Sequence, residues 1–250
     1  MIRLQKILSQ AGVSSRRAAE KLMAERRVSV NGRTVFELGT KADPAQDDIR
    51  VDGRRIKAPE RHRYILLNKP RGYVTTRSDE KRRKTVIDLL EGVHEYVYPV
   101  GRLDYDTEGL LLLTNDGDLA AHLTHPRHGV ERTYEARVAG MPDDRAIEKL
   151  RTGIPLDGHR TRPATVLLLN RDRHDQDGIV LITIREGRNR QVRRMLEAVG
   201  HPVQKLKRTK FGPIGDRKLP AGAWRELTLA EITSLRSQGD RADQGKKHKD

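Results

Sequence analysis

The run Leu110-Leu111-Leu112-Leu113 constrains this chain more than any other feature. It is preceded by Gly101-Arg102-Leu103-Asp104-Tyr105-Asp106-Thr107-Glu108-Gly109 and followed by Thr114-Asn115-Asp116-Gly117. Successive strand side chains point to opposite sides, so four large apolar residues in a row suit a strand covered on both faces. A polar loop feeding such a strand is held by a rigid scaffold, and an acid beside it is easily desolvated, which raises its reactivity. Acidic loop residues are more often simple turn formers. The run alone therefore predicts an element rather than an activity.

The chain before it reads as a small helical and β module, residues 1–56. Leu4, Ile7, Leu8 and Ala11 recur at helical spacing and Gly12 stops the helix. Ser14 or Ser15 caps a second helix with Ala18, Ala19, Leu22 and Met23 inside. Val28 and Val30 alternate with polar residues ahead of Asn31-Gly32, a strong hairpin signal, and Ile49 and Val51 precede Asp52-Gly53. Residues 57–63, polar and holding Pro59, read as a linker.

Residues 64–236 read as a second domain. Strands are expected at Tyr64–Leu67, Tyr96–Val100 and Leu110–Leu113, with a long hairpin from Ala164–Leu169 and Ile179–Ile184. Thr85 caps a helix at Val86-Ile87, Asp118 another through Leu123, and Asn189 to Val199 carries Val192, Leu196 and Val199 on one stripe before Gly200 and Pro202. Thr228 to Glu231 forms a capping box for a last helix. Strands and helices mix without strict alternation, so the class is α+β with a largely antiparallel sheet. Residues 237–250, rich in lysine and without apolar periodicity, read as a disordered basic tail.

Charge narrows the partner. The formal net charge is +15, and neutralising phosphates releases condensed counterions, so a polyanion is expected. Aromatics are 4%, too few for a broad single-strand stacking platform, which favours structured RNA. The first 33 residues hold Arg3, Lys6, Arg16, Arg17, Lys21, Arg26, Arg27 and Arg33 against Glu20 and Glu25. Arg16 and Arg17 open a helix, where the macrodipole disfavours cations, so a ligand explains them better than stability does. A second cluster, Arg188, Arg190, Arg193, Arg194, Lys205, Lys207, Arg208 and Lys210, faces Glu186 and Glu197. In each cluster a solvated face is the plain alternative. There is no cysteine, so thiolate zinc sites, disulfides and cysteine nucleophiles are excluded. No apolar run suits a membrane span or a signal peptide, and a cytoplasmic location is expected. His122, His125 and His128 are spaced by three, but Pro126 interrupts a shared helix face and no metal is expected.

Four segments in order resemble one family. Asn68-Lys69-Pro70-Arg71-Gly72-Tyr73-Val74-Thr75-Thr76, then Gly101 to Gly117, then Arg132-Thr133-Tyr134, then Gly187-Arg188-Asn189-Arg190-Gln191-Val192-Arg193-Arg194-Met195 are similar to the motifs of one group of pseudouridine synthases. That group comprises type A, which acts on small-subunit ribosomal RNA, and types B, E and F, which act on large-subunit ribosomal RNA. Within it the string is nearest type B. The first 55 residues resemble the RNA-binding domain typified by ribosomal protein S-four. The resemblance implies an N-terminal RNA-binding domain followed by a pseudouridine synthase domain, with a mixed, largely antiparallel sheet and flanking helices. It implies isomerisation of a uridine in ribosomal RNA, with large-subunit RNA favoured over small-subunit RNA. Glycosidic exchange needs neither redox chemistry nor an electron sink, so no metal or organic cofactor is expected. Nothing in the sequence suggests an obligate dimer, so a monomer is expected.

By the same resemblance Asp104 matches the essential aspartate. It acts at the ribose either by attacking the anomeric carbon or by removing the neighbouring ribose proton. Tyr134 matches the tyrosine that stacks on the target base, Arg193 the basic residue that pairs with the aspartate, and Arg102 the arginine that fills the gap left by the extruded base. Chemistry agrees, because a stacked base must be flipped to be isomerised, and a desolvated carboxylate needs a cationic partner. RNA contacts are expected from Arg102, Arg16, Arg17, Lys21, Lys69, Arg188, Arg190, Arg194, Lys205 and Lys207. Two other classes compete. One is a non-catalytic RNA-binding assembly factor, which the basic modules alone would suit. The other is a metal-dependent nuclease using the acidic loop, which chelator sensitivity would reveal.

Overall fold

The computed structural model describes residues 1–57, 61–169 and 177–238. The expected basic tail beyond Gln238, part of the linker and the tip of the long hairpin lie outside the described residues. The chain divides into two compact units. One is Met1–Tyr64 with Gly92–Tyr98 and Thr114–Gly117, and the other holds Ile65–Glu91, Pro99–Leu113 and the chain from Asp118 onward.

In the first unit, β1 (Ile2–Arg3) leads into α1 (Leu4–Gln10), followed by α2 (Arg16–Ala24), β2 (Val28–Val30), β3 (Arg33–Thr34), β4 (Lys41–Ala42), β5 (Ile49–Val51) and β6 (Arg54–Arg55). Leu4, Ile7, Leu8, Ala19, Met23, Val28, Ala42 and Ile49 form its buried core. Gly12 takes φ +76°, which ends the first helix, and the Ser15 hydroxyl accepts from the Ala18 N–H at 3.2 Å to start the next. β2, β3, β5 and β6 form an antiparallel sheet in the order β3-β2-β5-β6. Its two tight turns, Asn31-Gly32 and Asp52-Gly53, have positive φ at both central residues, as the twist of a hairpin demands.

The second unit is built on a mixed sheet. Its strands are β7 (Tyr64–Lys69), β8 (Tyr98–Val100), β9 (Glu108–Thr114), β10 (Arg132–Val138), β13 (Thr165–Leu169), β14 (Gly178–Ile184), β15 (Val203–Phe211), β16 (Ile214–Gly215) and β17 (Trp224–Glu226), with a small separate pair, β11 (Pro155–Leu156) and β12 (His159–Arg160). The order is β13-β14-β10-β15-β9-β7-β17, with β16 on β15 and β8 on β9. The pairs β13–β14, β14–β10, β10–β15 and β7–β17 are antiparallel, whereas β15 runs parallel to β9. Helices α3 (Gly117–Thr124), α4 (Asp144–Thr152), α5 (Gln191–Ala198) and α6 (Leu229–Arg236) accompany it, α4 packing on β13 and α5 on β15. Leu110 to Leu113 are all buried, as a strand covered on both faces requires. Each such leucine stabilises the fold by about 2 kcal/mol.

The structure corrects several local expectations. Thr85 opens a short 3-10 turn, Val86–Leu89, instead of an α-helix, because Leu90 leaves helical geometry at ψ 60°. Asp118 lies inside the first turn of α3. The strand expected at Tyr96 begins at Tyr98, and the hairpin strand begins at Thr165. Helix α4 was not foreseen, although the Asp143 carboxylate caps it by accepting from the Ala146 N–H at 2.7 Å. The nine-residue β15 was masked by its own lysines and arginines, since a basic run reads as solvated surface.

The parallel contact between β9 and β15 is made possible by Gly109. It holds φ +112°, and a Cβ at this position would run into the backbone of Arg208. Gly109→Ala is therefore expected to cost at least about 3 kcal/mol, read as a lower urea midpoint at unchanged slope. Wild-type stability in the variant would contradict this close approach.

Candidate active site

Residues 102–107 form the loop that feeds β9, and hydrogen bonds from four elements hold its backbone. The ammonium of Lys69, at the end of β7, donates to the carbonyls of Asp104 at 3.0 Å, Thr107 at 2.8 Å and Pro70 at 3.1 Å. The Thr75 hydroxyl donates to the Leu103 carbonyl at 2.6 Å, and the Gly72 N–H reaches the Tyr105 carbonyl at 2.9 Å. Arg208 on β15 donates to the Leu110 carbonyl at 2.7 Å and to that of Arg102 at 3.5 Å. Arg193 on α5 donates to the Asp106 carbonyl at 3.0 Å. Inside the loop, the Thr107 N–H closes a turn onto the Asp104 carbonyl. The Asp104 carboxylate is left at the surface of the loop, 32% exposed.

Asp104 opens into a cleft of about 590 Å³ whose wall includes Tyr134 from β10. Arg102, Arg132, Arg162, Arg185, Arg188 and Arg190 also line it, against the carboxylates of Asp104 and Glu186. A concave surface with this excess of guanidinium groups favours a phosphate-bearing ligand. Tyr134 is buried and lines the same cleft. Leu206 and Val192 supply apolar wall beside the charged rim.

The ion pairs differ from the sequence expectation. Arg193 pairs with Asp106 at 3.2 Å rather than with Asp104. Arg190 holds Asp106 through both of its terminal nitrogens, at 3.1 and 3.2 Å, and lies 3.8 Å from Asp104. Burial alone would raise the Asp106 carboxyl, but donation from Arg190 and the charges of Arg193 and Arg190 outweigh it and hold the group below the usual range. Arg190 adopts a left-handed backbone, φ +46°, at the start of α5, which turns its side chain toward the motif loop.

Several residues expected to touch RNA are committed elsewhere. Lys69 is fully buried and works as a tether for the loop, so it is not available to a ligand. Arg188 donates to the carbonyls of Leu156, His159 and Arg160. Arg194 is bidentate on Asp157, and Lys205 sits 3.5 Å from Glu108. Arg102 is exposed at the cleft, Lys207 is half-buried on β15, and Arg16 and Arg17 are exposed on α2 with Lys21, whose ammonium is 3.7 Å from Glu25. Sequence reasoning assigned no role to Arg132, Asp106, Thr75 or Arg208. Arg132, Asp106 and Thr75 each stand within a motif, and Arg208 was visible only as a member of the second basic cluster. Of the histidine trio, His122 and His128 stack at 4.1 Å and bond to the carbonyls of Gln238 and His122, respectively.

Burial pushes the Lys69 ammonium down from 10.5 to about 8, with part of the effect offset by Asp104, Asp106 and Glu108. The unfolded chain therefore binds more protons than the folded chain between about pH 8 and 10.5, and this group's contribution to stability rises with pH across that window. Lys69→Met removes the ammonium donor from three carbonyls, of which that of Asp104 keeps the Thr107 N–H. It is expected to cost about 3 kcal/mol, to remove that segment of the stability–pH curve, and to lower activity through a loosened loop. Urea unfolding at pH 7 and pH 10 measures both stability effects, and an unaltered pH dependence would refute the assignment.

Comparison with known proteins fits this geometry. The family described as RNA pseudouridylate synthase matches residues 63–198, and the S4 domain matches residues 2–48. The chain is 48% identical over 240 residues to the ribosomal large subunit pseudouridine synthase B of Bacillus subtilis, covering 96% of this chain and 98% of that protein. It is 40% identical to the protein of the same name from Vibrio vulnificus, covering 94% of this chain and 74% of the other. A solved pseudouridylate synthase superposes with a TM-score of 0.68 at 32% identity, covering 94% of this chain and all of that one. With its S4 domain, its mixed sheet and an acid-bearing loop before the buried β9, the chain belongs to the RNA pseudouridylate synthase family and is an isomerase that turns uridine into pseudouridine in RNA.

Proposed function

We propose that the target is a uridine of large-subunit ribosomal RNA, flipped out of folded RNA into the cleft of Asp104 and Tyr134. The observation that carries this reading is a cleft in which a carboxylate and a tyrosine ring lie among six arginines. The relatives from Bacillus subtilis and Vibrio vulnificus are named for the large subunit, which favours that RNA over its small-subunit counterpart.

In this reading Asp104 acts at the ribose, as nucleophile on the anomeric carbon or as base at its neighbour. Tyr134 stacks on the extruded base. Arg102, exposed at the cleft, contacts phosphate and fills the vacancy in the RNA. Arg193 positions the loop through Asp106 and leaves Asp104 without a bidentate partner. The basic module of residues 1–56 supplies a second hold on RNA through Arg16, Arg17 and Lys21. The catalytic domain spans residues 64–236, and the chain works as a cytoplasmic monomer.

Asp104→Asn keeps the shape of the side chain and removes its charge. It is expected to bind ribosomal RNA within about threefold of wild type and to release no measurable tritium from RNA labelled at uracil carbon five. Full turnover in that variant would end the proposal. Replacing Arg16, Arg17 and Lys21 together by alanine should weaken RNA binding and reduce the slope of log affinity against log salt by about one for each lost phosphate contact. An unchanged slope would remove the module from the RNA interface.

A further inference from the structure

Two neighbouring guanidinium groups beneath the cleft have no carboxylate to answer them among the described residues. Arg132 and Tyr134 stand two residues apart on β10, and Arg208 lies directly opposite Tyr134 on β15. Arg208 is 1% exposed, and one of its terminal nitrogens has no hydrogen-bond partner. Both guanidinium groups sit over the Phe211 ring, Arg132 at 5.4 Å and Arg208 at 5.2 Å from its centre. Arg132 lines the cleft, and its hydrogen bonding to the protein is one long contact, 3.3 Å, to the Leu123 carbonyl. Burial and the charge of Arg208 both act against its protonated form.

A buried charge left without a counterion is costly, and keeping two side by side calls for an anion that the free protein lacks. Most other cleft arginines are already engaged: Arg185 with Glu131, Arg188 with three carbonyls and Arg190 with Asp106. Arg102 and Arg162 are exposed, as suits phosphate contacts. Arg132 differs in being half-buried, unpaired and on the same strand as the stacking tyrosine.

The reaction generates a matching anion. When the C1′–N1 bond breaks, its electron pair goes to N1, and the uracil departs with its negative charge spread onto O2 and O4. At the sugar, either an Asp104 oxygen bonds to C1′ or the C2′ proton passes to Asp104. Rejoining uses the C5 electron pair to form C1′–C5 as the Asp104–C1′ bond breaks, or as Asp104 returns its proton to C2′ of the glycal. The C5 proton then passes to the freed Asp104 carboxylate or to water, and N1 takes up a proton. We propose that Arg132 is a further catalytic residue, donating to the carbonyl oxygens of the uracil while it is detached and anionic. Arg208 is the positioning residue that faces Arg132 toward the cleft across Phe211. This rests on the function proposed above.

A leaving-group experiment on the full chain tests it. Fluorine at C5 stabilises the departing uracil anion, so an enzyme lacking its anion stabiliser should be rescued in part by 5-fluorouridine. Single-turnover consumption is measured with ribosomal RNA transcripts carrying uridine or 5-fluorouridine. Arg132→Gln is expected to slow uridine consumption about 100-fold with KM within about threefold, and to slow 5-fluorouridine consumption about tenfold or less. Arg132→Lys, which keeps a charge, should recover much of the rate and serves as the test should the glutamine variant fold poorly. Equal fractional losses on both RNAs, or a loss confined to KM, would overturn the role of Arg132 while leaving the isomerase intact. A wild-type enzyme that converts no uridine in these transcripts would instead sink the proposed function, and this inference with it.

Discussion

A buried ammonium holding three backbone carbonyls is the constraint on which this site depends. Lys69 lies at the end of one strand, and its acceptors belong to its own neighbour, Pro70, and to the loop carrying Asp104. Three donors on one small group fix the loop at two points, and the Thr75 hydroxyl and Arg208 guanidinium fix it at two more. The Asp104 carboxylate is thus carried by a peptide segment with little freedom, while the carboxylate itself remains open to the cleft. Preorganisation of this kind places its energetic cost in folding rather than in each catalytic cycle.

The arginines around the loop separate by what they touch. Arg188 and Arg193 bond mainly to carbonyls and shape the wall. Arg190 and Arg194 pair with carboxylates. Arg102 and Arg162 are exposed at the cleft, and Arg132 has no carboxylate partner among the described residues. Net charge therefore overstates the RNA-binding surface, because part of it is structural. The choice of arginine over lysine at the structural positions follows from a planar fork that satisfies several acceptors at once.

Much of the fold was legible in the sequence where local physics decides it. The Asn31-Gly32 and Asp52-Gly53 turns, the Ser15 cap and the leucine strand each follow from a short stretch of chain. The Asp104–Tyr134 cleft was legible through motif resemblance. What stayed hidden depends on distant partners. Lys69 looks like any surface lysine until β7 places it under a loop 35 residues away. Arg193 reads as a partner of Asp104, and only the turn at Asp104–Thr107 hands it to Asp106. Arg208 reads as part of a solvated basic run because the strand's buried face includes a charge.

The parallel alignment of β9 with β15 has a consequence for how the molecule matures. The bond from Arg208 to Leu110 spans 98 residues, and that to Arg102 spans 106. Contacts between residues this far apart in sequence form slowly. During synthesis the acid-bearing segment emerges long before the strand that completes its scaffold. Until Val203–Phe211 has left the ribosome, the nascent chain lacks the strand whose Arg208 holds the carbonyls of Arg102 and Leu110.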